Sequence, residues 1–205
     1  MNKNSQKAVR QLKALEKLIQ DKKMRLAADW DEPWQVLIAT ILSAVTKDEM
    51  TIEVCEELFK KYPSPSLLGR ASISFLKKII RKVNYHKTKA KHIKKTCQII
   101  AVKGILKNLE GLIELPGVGR KVGNVYLAVA HKANAIGVDT HVAYISQFLG
   151  WTKHHNTERI ERDLEALFPR RHWRKLNRIC VHFGKTYTSR RKKDALLLTL
   201  HTLNE

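Results

Sequence analysis

Cysteine is scarce. Cys55, Cys97 and Cys180 are the only three in 205 residues, and they stand too far apart to read as a disulfide framework or a zinc-binding set. That usage points to a reducing, cytoplasmic compartment. Long apolar runs are missing too, so no segment is expected to span a membrane. The Lys- and Arg-bearing start has no apolar core of the secretory-leader kind. No stretch alternates apolar and polar residues as a half-buried strand does. Neither a long-period repeat nor a low-complexity linker is visible. Acidic residues are outnumbered: 19 Asp and Glu face 39 Lys and Arg, for a net charge of +20 and a pI near 10.0. Such self-repulsion calls for a polyanionic partner. Nucleic acid is the natural one, with an anionic membrane surface as the alternative.

What is present is helical periodicity. Residues 5–28 read as a basic helix with Leu12, Leu15, Leu18 and Ile19 on one stripe. Its Lys- and Arg-rich face is either solvated or set against phosphate. Asp31-Glu32-Pro33 marks a second start. Trp34, Leu37, Ile38, Ile41, Leu42 and Val45 follow at spacings of three and four, as in a core helix. Asp48 is expected to cap the next one, with Thr51, Val54, Cys55, Leu58 and Tyr62 along one side. Ile73, Leu76, Ile80 and Val83 make another, ending near Asn84. A further helix runs from about Thr88 to Lys103-Gly104. Beyond residue 139 come Val142, Ile145 and Leu149, closed by Gly150, then Ile160, Leu164 and Leu167, capped by Asn156 or Thr157 and stopped by Pro169. Trp173, Leu176, Cys180 and Phe183, closed by Gly184, precede a last helix with Leu196, Leu197, Leu200 and Leu203. The expected fold class is all-α.

The stretch with chemistry in it is Leu115-Pro116-Gly117-Val118-Gly119-Arg120-Lys121. Leu109, Leu112 and Ile113 before it, and Val122, Val125, Tyr126 and Val129 after it, predict two short helices joined by a hairpin. Glycine permits positive φ and close backbone approach. The second helix then points unpaired N–H groups and a partial positive charge out of the hairpin, where a phosphate fits. Lys121 lies in its first turn. A lysine beside the positive end of a dipole and among other cations is pushed toward the neutral amine that a nucleophile needs. By itself, that lysine serves equally as a phosphate ligand.

Leu115 to Asn124, taken with Val138-Asp139-Thr140-His141, resembles the helix-hairpin-helix and catalytic region of the endonuclease III group of DNA glycosylases. The likeness extends through Pro33-Trp34 to Ala44 and through Tyr85 to Ile93, covering roughly residues 30–185. It implies a two-lobed fold with its active cleft between the lobes. A central helical barrel domain, 31–135, would end in the hairpin, and residues 1–30 plus 136–205 would form a discontinuous second domain. It also implies a monomeric base-excision enzyme acting on damaged bases or abasic sites in double-stranded DNA, in the cytoplasm at the nucleoid. The expected activity is a DNA N-glycosylase and AP lyase that removes damaged, oxidised pyrimidines through a lysine Schiff base. The alternatives are a monofunctional mismatch glycosylase and a non-catalytic helix-hairpin-helix DNA-binding module.

The resemblance assigns roles to single residues. In the family, a lysine just after the hairpin attacks the sugar C1′ and an aspartate eighteen positions later assists; Lys121 and Asp139 have that spacing. Asp139 also reads as the N-cap of the helix from Thr140. Gly117, Val118, Gly119 and Arg120 are expected to grip a DNA phosphate. His141 reads as a structural histidine or a proton shuttle, and Asp48 as a cap or a pocket carboxylate. The family commonly places a glutamine after Leu-Ser-Ala to fill the gap left by a flipped base. Here Val45 follows Leu42-Ser43-Ala44, and it is either that wedge or plain core. Tyr85, at a second insertion site, either stacks into the gap or packs inside. The iron–sulfur cysteines of many members are missing from Phe183 to Thr188, so no cluster, metal or organic cofactor is expected. The basic run Arg190-Arg191-Lys192-Lys193 either takes over the DNA contact of the cluster lobe or is solvated.

Overall fold

The computed structural model describes residues 2–202, and all regular structure among them is helical. Leu203 of the last expected stripe lies outside these residues. The chain divides into a central unit, Arg25–His131, and a terminal unit built from Met1–Met24 and Lys132–Glu205.

The central unit holds α2 (Pro33–Ser43), α3 (Asp48–Lys61), α4 (Pro65–Arg70), α5 (Ile73–Ile79), α6 (His86–Lys103), α7 (Leu109–Ile113) and α8 (Arg120–Ala130). Pro33 occupies the first turn of α2, where its missing N–H costs nothing. From Val36 to Leu42 every residue of α2 is buried, as expected of a helix packed on all sides; it lies among α3, α6 and α8. The core around it includes Leu58, Leu68, Leu76, Ile80, Ile93 and Tyr126.

The terminal unit holds α1 (Lys3–Ile19), α9 (Thr140–Phe148), α10 (Thr157–Leu167), α11 (Trp173–Thr186) and α12 (Arg190–His201). Leu12, Leu15 and Ile19 of α1 share a core with Leu176, Ile179, Cys180 and Phe183 of α11. Inside it, the buried Gln11 side chain accepts a bond from Trp151 Nε1 at 2.7 Å and donates one to Leu200 O at 3.1 Å. Both polar ends are thereby satisfied, as burial demands.

Four local expectations are corrected. The first helix stops at Ile19 rather than near residue 28, because Gln20 to Lys23 offer nothing apolar to bury. Asp48 is the first residue of α3, not its cap; the cap position is Lys47, and the Asp48 carboxylate instead accepts from Ala27 N at 3.1 Å. Gly184 does not end α11, which runs to Thr186. Finally, α2 ends at Ser43, so Val45 leaves its stripe and stands 73% exposed.

Candidate active site and nucleic-acid interface

The hairpin between α7 and α8 is a tight turn with Gly117 at φ +83°, a region open to glycine and strained for L side chains. A Cβ there would also come within 3.0 Å of His92 on α6. Thr96, also on α6, donates its hydroxyl to Pro116 O at 2.8 Å and pins the turn from below. Val118 N closes onto Leu115 O at 3.0 Å, and Val118 itself is buried. Gly119 is the cap position of α8 and brings no side chain to satisfy the first-turn N–H groups. The space beside it is open, since an added Cβ would meet nothing within 4 Å. Arg120 is exposed and Lys121 half-buried, both in the first turn. The arrangement leaves backbone donors and a dipole end accessible to an anion.

Asp139 belongs to the terminal unit and caps α9: its Oδ1 accepts from Val142 N at 2.9 Å, and its carbonyl accepts from Ala143 N at 2.9 Å. Asn177 holds the preceding segment by donating to Gly137 O at 2.6 Å. Burial first, and the Asp139 charge second, push the Cys180 thiol well above its ordinary range. His141 is half-buried and lies against α11 where that helix has Gly184; a Cβ there would sit 2.1 Å from His141 Nδ1. Position 184 is thus a seat for the His141 ring.

Val45 and Tyr85 are both surface residues, 73% and 69% exposed, so neither packs inside. Both adopt positive φ, +54° and +57°, a costly conformation for a β-branched or bulky side chain. Their two loops are bonded together: Asn84 donates its side-chain amide to Val45 O at 2.5 Å and its backbone N–H to Thr46 Oγ1 at 3.2 Å. Lys89 is 6% exposed, and desolvation pulls its pKa down to about 8. Its Nζ donates to Leu42 O at 2.7 Å, to Ala44 O and to Thr46 Oγ1 at 3.3 Å. Asn84, Lys89 and Thr46 were not among the expected site residues. One signal was in the sequence: Lys89 falls on the apolar stripe of α6, four residues before Ile93 and eleven before Ile100. Asn84 and Thr46 carried none.

The basic run opens α12. Arg190 lies over the Tyr144 ring at 4.7 Å, Lys193 over the same ring at 5.7 Å and Lys192 over Tyr187 at 5.5 Å. Part of its charge is therefore held on aromatic faces of its own unit. An iron–sulfur cluster takes four thiolates in the common case. This chain has three cysteines, all buried, and burial pushes all three thiols up, Cys97 to about 12. The residues do not fit such a cluster. Among the described residues no group of three or more His, Cys, Asp or Glu side chains is placed to hold a metal ion. No described helix is long and apolar enough to cross a membrane.

Residues 38–170 match the family described as HhH-GPD superfamily base excision DNA repair protein. Endonuclease III of Thermotoga maritima is 38% identical over 157 residues, 75% of this chain and 74% of that protein. Endonuclease III of Synechocystis sp. is 37% identical over 168 residues, 80% and 77% of the two chains. A solved structure of a trapped endonuclease III–DNA covalent intermediate, in an estranged-adenine complex, superposes with a TM-score of 0.83. Identity there is 30%, over 92% of this chain and 89% of that one. A thermostable thymine-DNA glycosylase shares the fold at 18% identity and a TM-score of 0.79. The chain therefore belongs to the HhH-GPD superfamily of base excision DNA repair proteins, among its endonuclease III members.

Proposed function

We propose that the chain is a base-excision DNA glycosylase with AP-lyase activity, removing oxidised pyrimidines from double-stranded DNA, and that Lys121 and Asp139 carry the chemistry. It works in the cytoplasm, on the DNA of the nucleoid. The observation that carries this reading is the uncapped start of α8 behind Gly119, with Lys121 one residue inside it, in a member of the endonuclease III group.

Each step follows from the chemistry of the bond to be broken. Cleaving the base–sugar bond builds positive charge on the sugar, and a nearby carboxylate stabilises it. The Asp139 side chain orders α9 through Oδ1, and the same carboxylate serves the sugar cation. The unprotonated Lys121 amine attacks C1′ as the base leaves with the bonding electrons and gains a proton; the nitrogen then gives up a proton, the C1′–O4′ bond breaks with O4′ taking up a proton, and the opened sugar is held as a Schiff base. The Schiff base acidifies C2′; removal of that proton expels the 3′ phosphate and breaks the strand. Gly117, Val118, Gly119 and Arg120 grip a phosphate through backbone N–H groups and charge. Because the reacting base starts inside the duplex, the nucleotide must be flipped out, and Val45 and Tyr85 fill the gap. Residues 31–135 and the two terminal segments act as the two functional domains.

Borohydride trapping on duplex DNA bearing an abasic site tests this reading. A covalent protein–DNA species should form with the wild type and vanish in Lys121→Ala. Binding without any trapped species in the wild type would leave a DNA-binding module and no lyase.

A further inference from the structure

Left-handed backbone at two exposed, bulky apolar positions persists only where the surroundings hold it. Around Val45 and Tyr85, the holding groups can be named. The last turn of α2 contains no basic residue, and its final carbonyls need donors. Those donors come from another helix. Lys89, in the first turn of α6, reaches Leu42 O, Ala44 O and Thr46 Oγ1. The Thr46 hydroxyl in turn donates to Ala44 O at 3.3 Å, and Thr46 N donates to Ser43 O at 3.0 Å. Asn84 takes the remaining carbonyl, Val45 O, while its own N–H bonds Thr46 Oγ1. Tyr85 follows Asn84 directly, and its carbonyl accepts Lys89 N at 3.0 Å. The 42–46 turn and the 84–85 turn thus share one set of bonds, and Lys89 is bonded into both.

We infer that Lys89 and Asn84 are positioning residues that lock the Val45 and Tyr85 turns into one preset, two-pronged wedge, so that opening a base pair does not first require two loops to order. This rests on the reading above, in which the chain flips a nucleotide out of duplex DNA. Neither residue touches the reacting sugar; each acts through the turn it holds. An unbraced wedge must become ordered as it inserts, so loss of the brace slows flipping and leaves the chemistry at Lys121 alone.

The experiment compares single-turnover borohydride trapping on an abasic site in a fully paired duplex with trapping on the same site in an unpaired bubble, where no stack has to be opened. Flipping is followed in parallel by the fluorescence of 2-aminopurine placed next to the site. Asn84→Ala, at an exposed position, and Lys89→Met, which keeps length but removes the donor, should trap the bubble within about twofold of the wild-type rate. On the duplex they should be at least about tenfold slower, with an equally delayed fluorescence rise; a tenfold loss is about 1.4 kcal/mol. Wild-type rates on the duplex in both variants would overturn the proposal. So would parallel losses on both substrates, which mark a merely structural role. Should Lys89→Met fail to fold, Asn84→Ala decides alone. Failure of the wild type to trap either substrate would instead sink the glycosylase reading and take the wedge with it.

Discussion

Asparagine caps a helix about as well as aspartate but carries no charge, so Asp139→Asn separates the cap of α9 from a role at the sugar. The Val142 N–H bond should survive, and the melting temperature should stay within a degree or two. Single-turnover base excision should fall by about 10²–10³-fold, the usual cost of removing one group that stabilises developing charge. A fall in melting temperature matching the loss of activity would assign Asp139 to structure alone. At this scale the sequence was informative where a residue's role is local. Asp139 reads as a cap from its type and its neighbours, and it is one. Asp48 shows the limit: the same residue type, here the first residue of α3 rather than its cap, turns instead to Ala27, 21 residues back, and no local pattern encodes that partner. Gln11, a polar residue outside the apolar stripe of its helix, is buried and bonded to Trp151 and Leu200, partners that no local pattern encodes.

The hairpin and the α2–α6 junction are the elements on which function turns. Gly117 and Gly119 differ in a way that two substitutions expose. Gly117→Ala meets both a positive φ and His92, and should cost about 1–3 kcal/mol of stability. Gly119→Ala has extended backbone and open space. It should leave the denaturation midpoint nearly unchanged but weaken duplex binding, because its methyl group stands where a phosphate would approach the N–H groups. Equal effects of the two on stability would refute the distinction. The α2–α6 junction carries a pH signature through Lys89. Its folded pKa, about 8, lies below the ordinary 10.5. Below pH 8 both folded and unfolded chains hold the proton, and the burial penalty is at its full size. Between about pH 8 and 10.5 the unfolded chain binds a proton that the folded chain has shed, so rising pH stabilises the fold. Measured against Lys89→Met, the wild type should gain about 1–3 kcal/mol over that window. Urea midpoints of the two proteins at several pH values check this; parallel curves contradict it. Helix existence was readable from periodicity except for the short α4. The end of α2 was not, because Val45 continues the apolar stripe and only the donors from Asn84 and Lys89 make the turn at Ala44 favourable.

For the whole molecule, a charge of +20 makes binding to DNA strongly salt-dependent. If about five phosphates are neutralised, affinity for duplex should drop by about 10²–10³-fold between about 50 and 200 mM salt. A flat salt response, read by fluorescence anisotropy, would remove the polyanion argument. Composition and periodicity were enough for an all-helical chain with a polyanionic partner, because both are local or additive properties: burial of a 3.6-residue stripe and a sum of charges. The hairpin was likewise legible, since a turn of this type constrains residues close in sequence; the pairing of Lys121 with Asp139 rests on the family resemblance instead. What only the tertiary structure decided are the long-range partners. Lys89 bonds carbonyls more than 40 residues away, Gly184 seats His141, and Thr96 pins the hairpin at Pro116. Such contacts bring together residues whose individual types are compatible with many neighbours, and their energy exists only once the helices have packed.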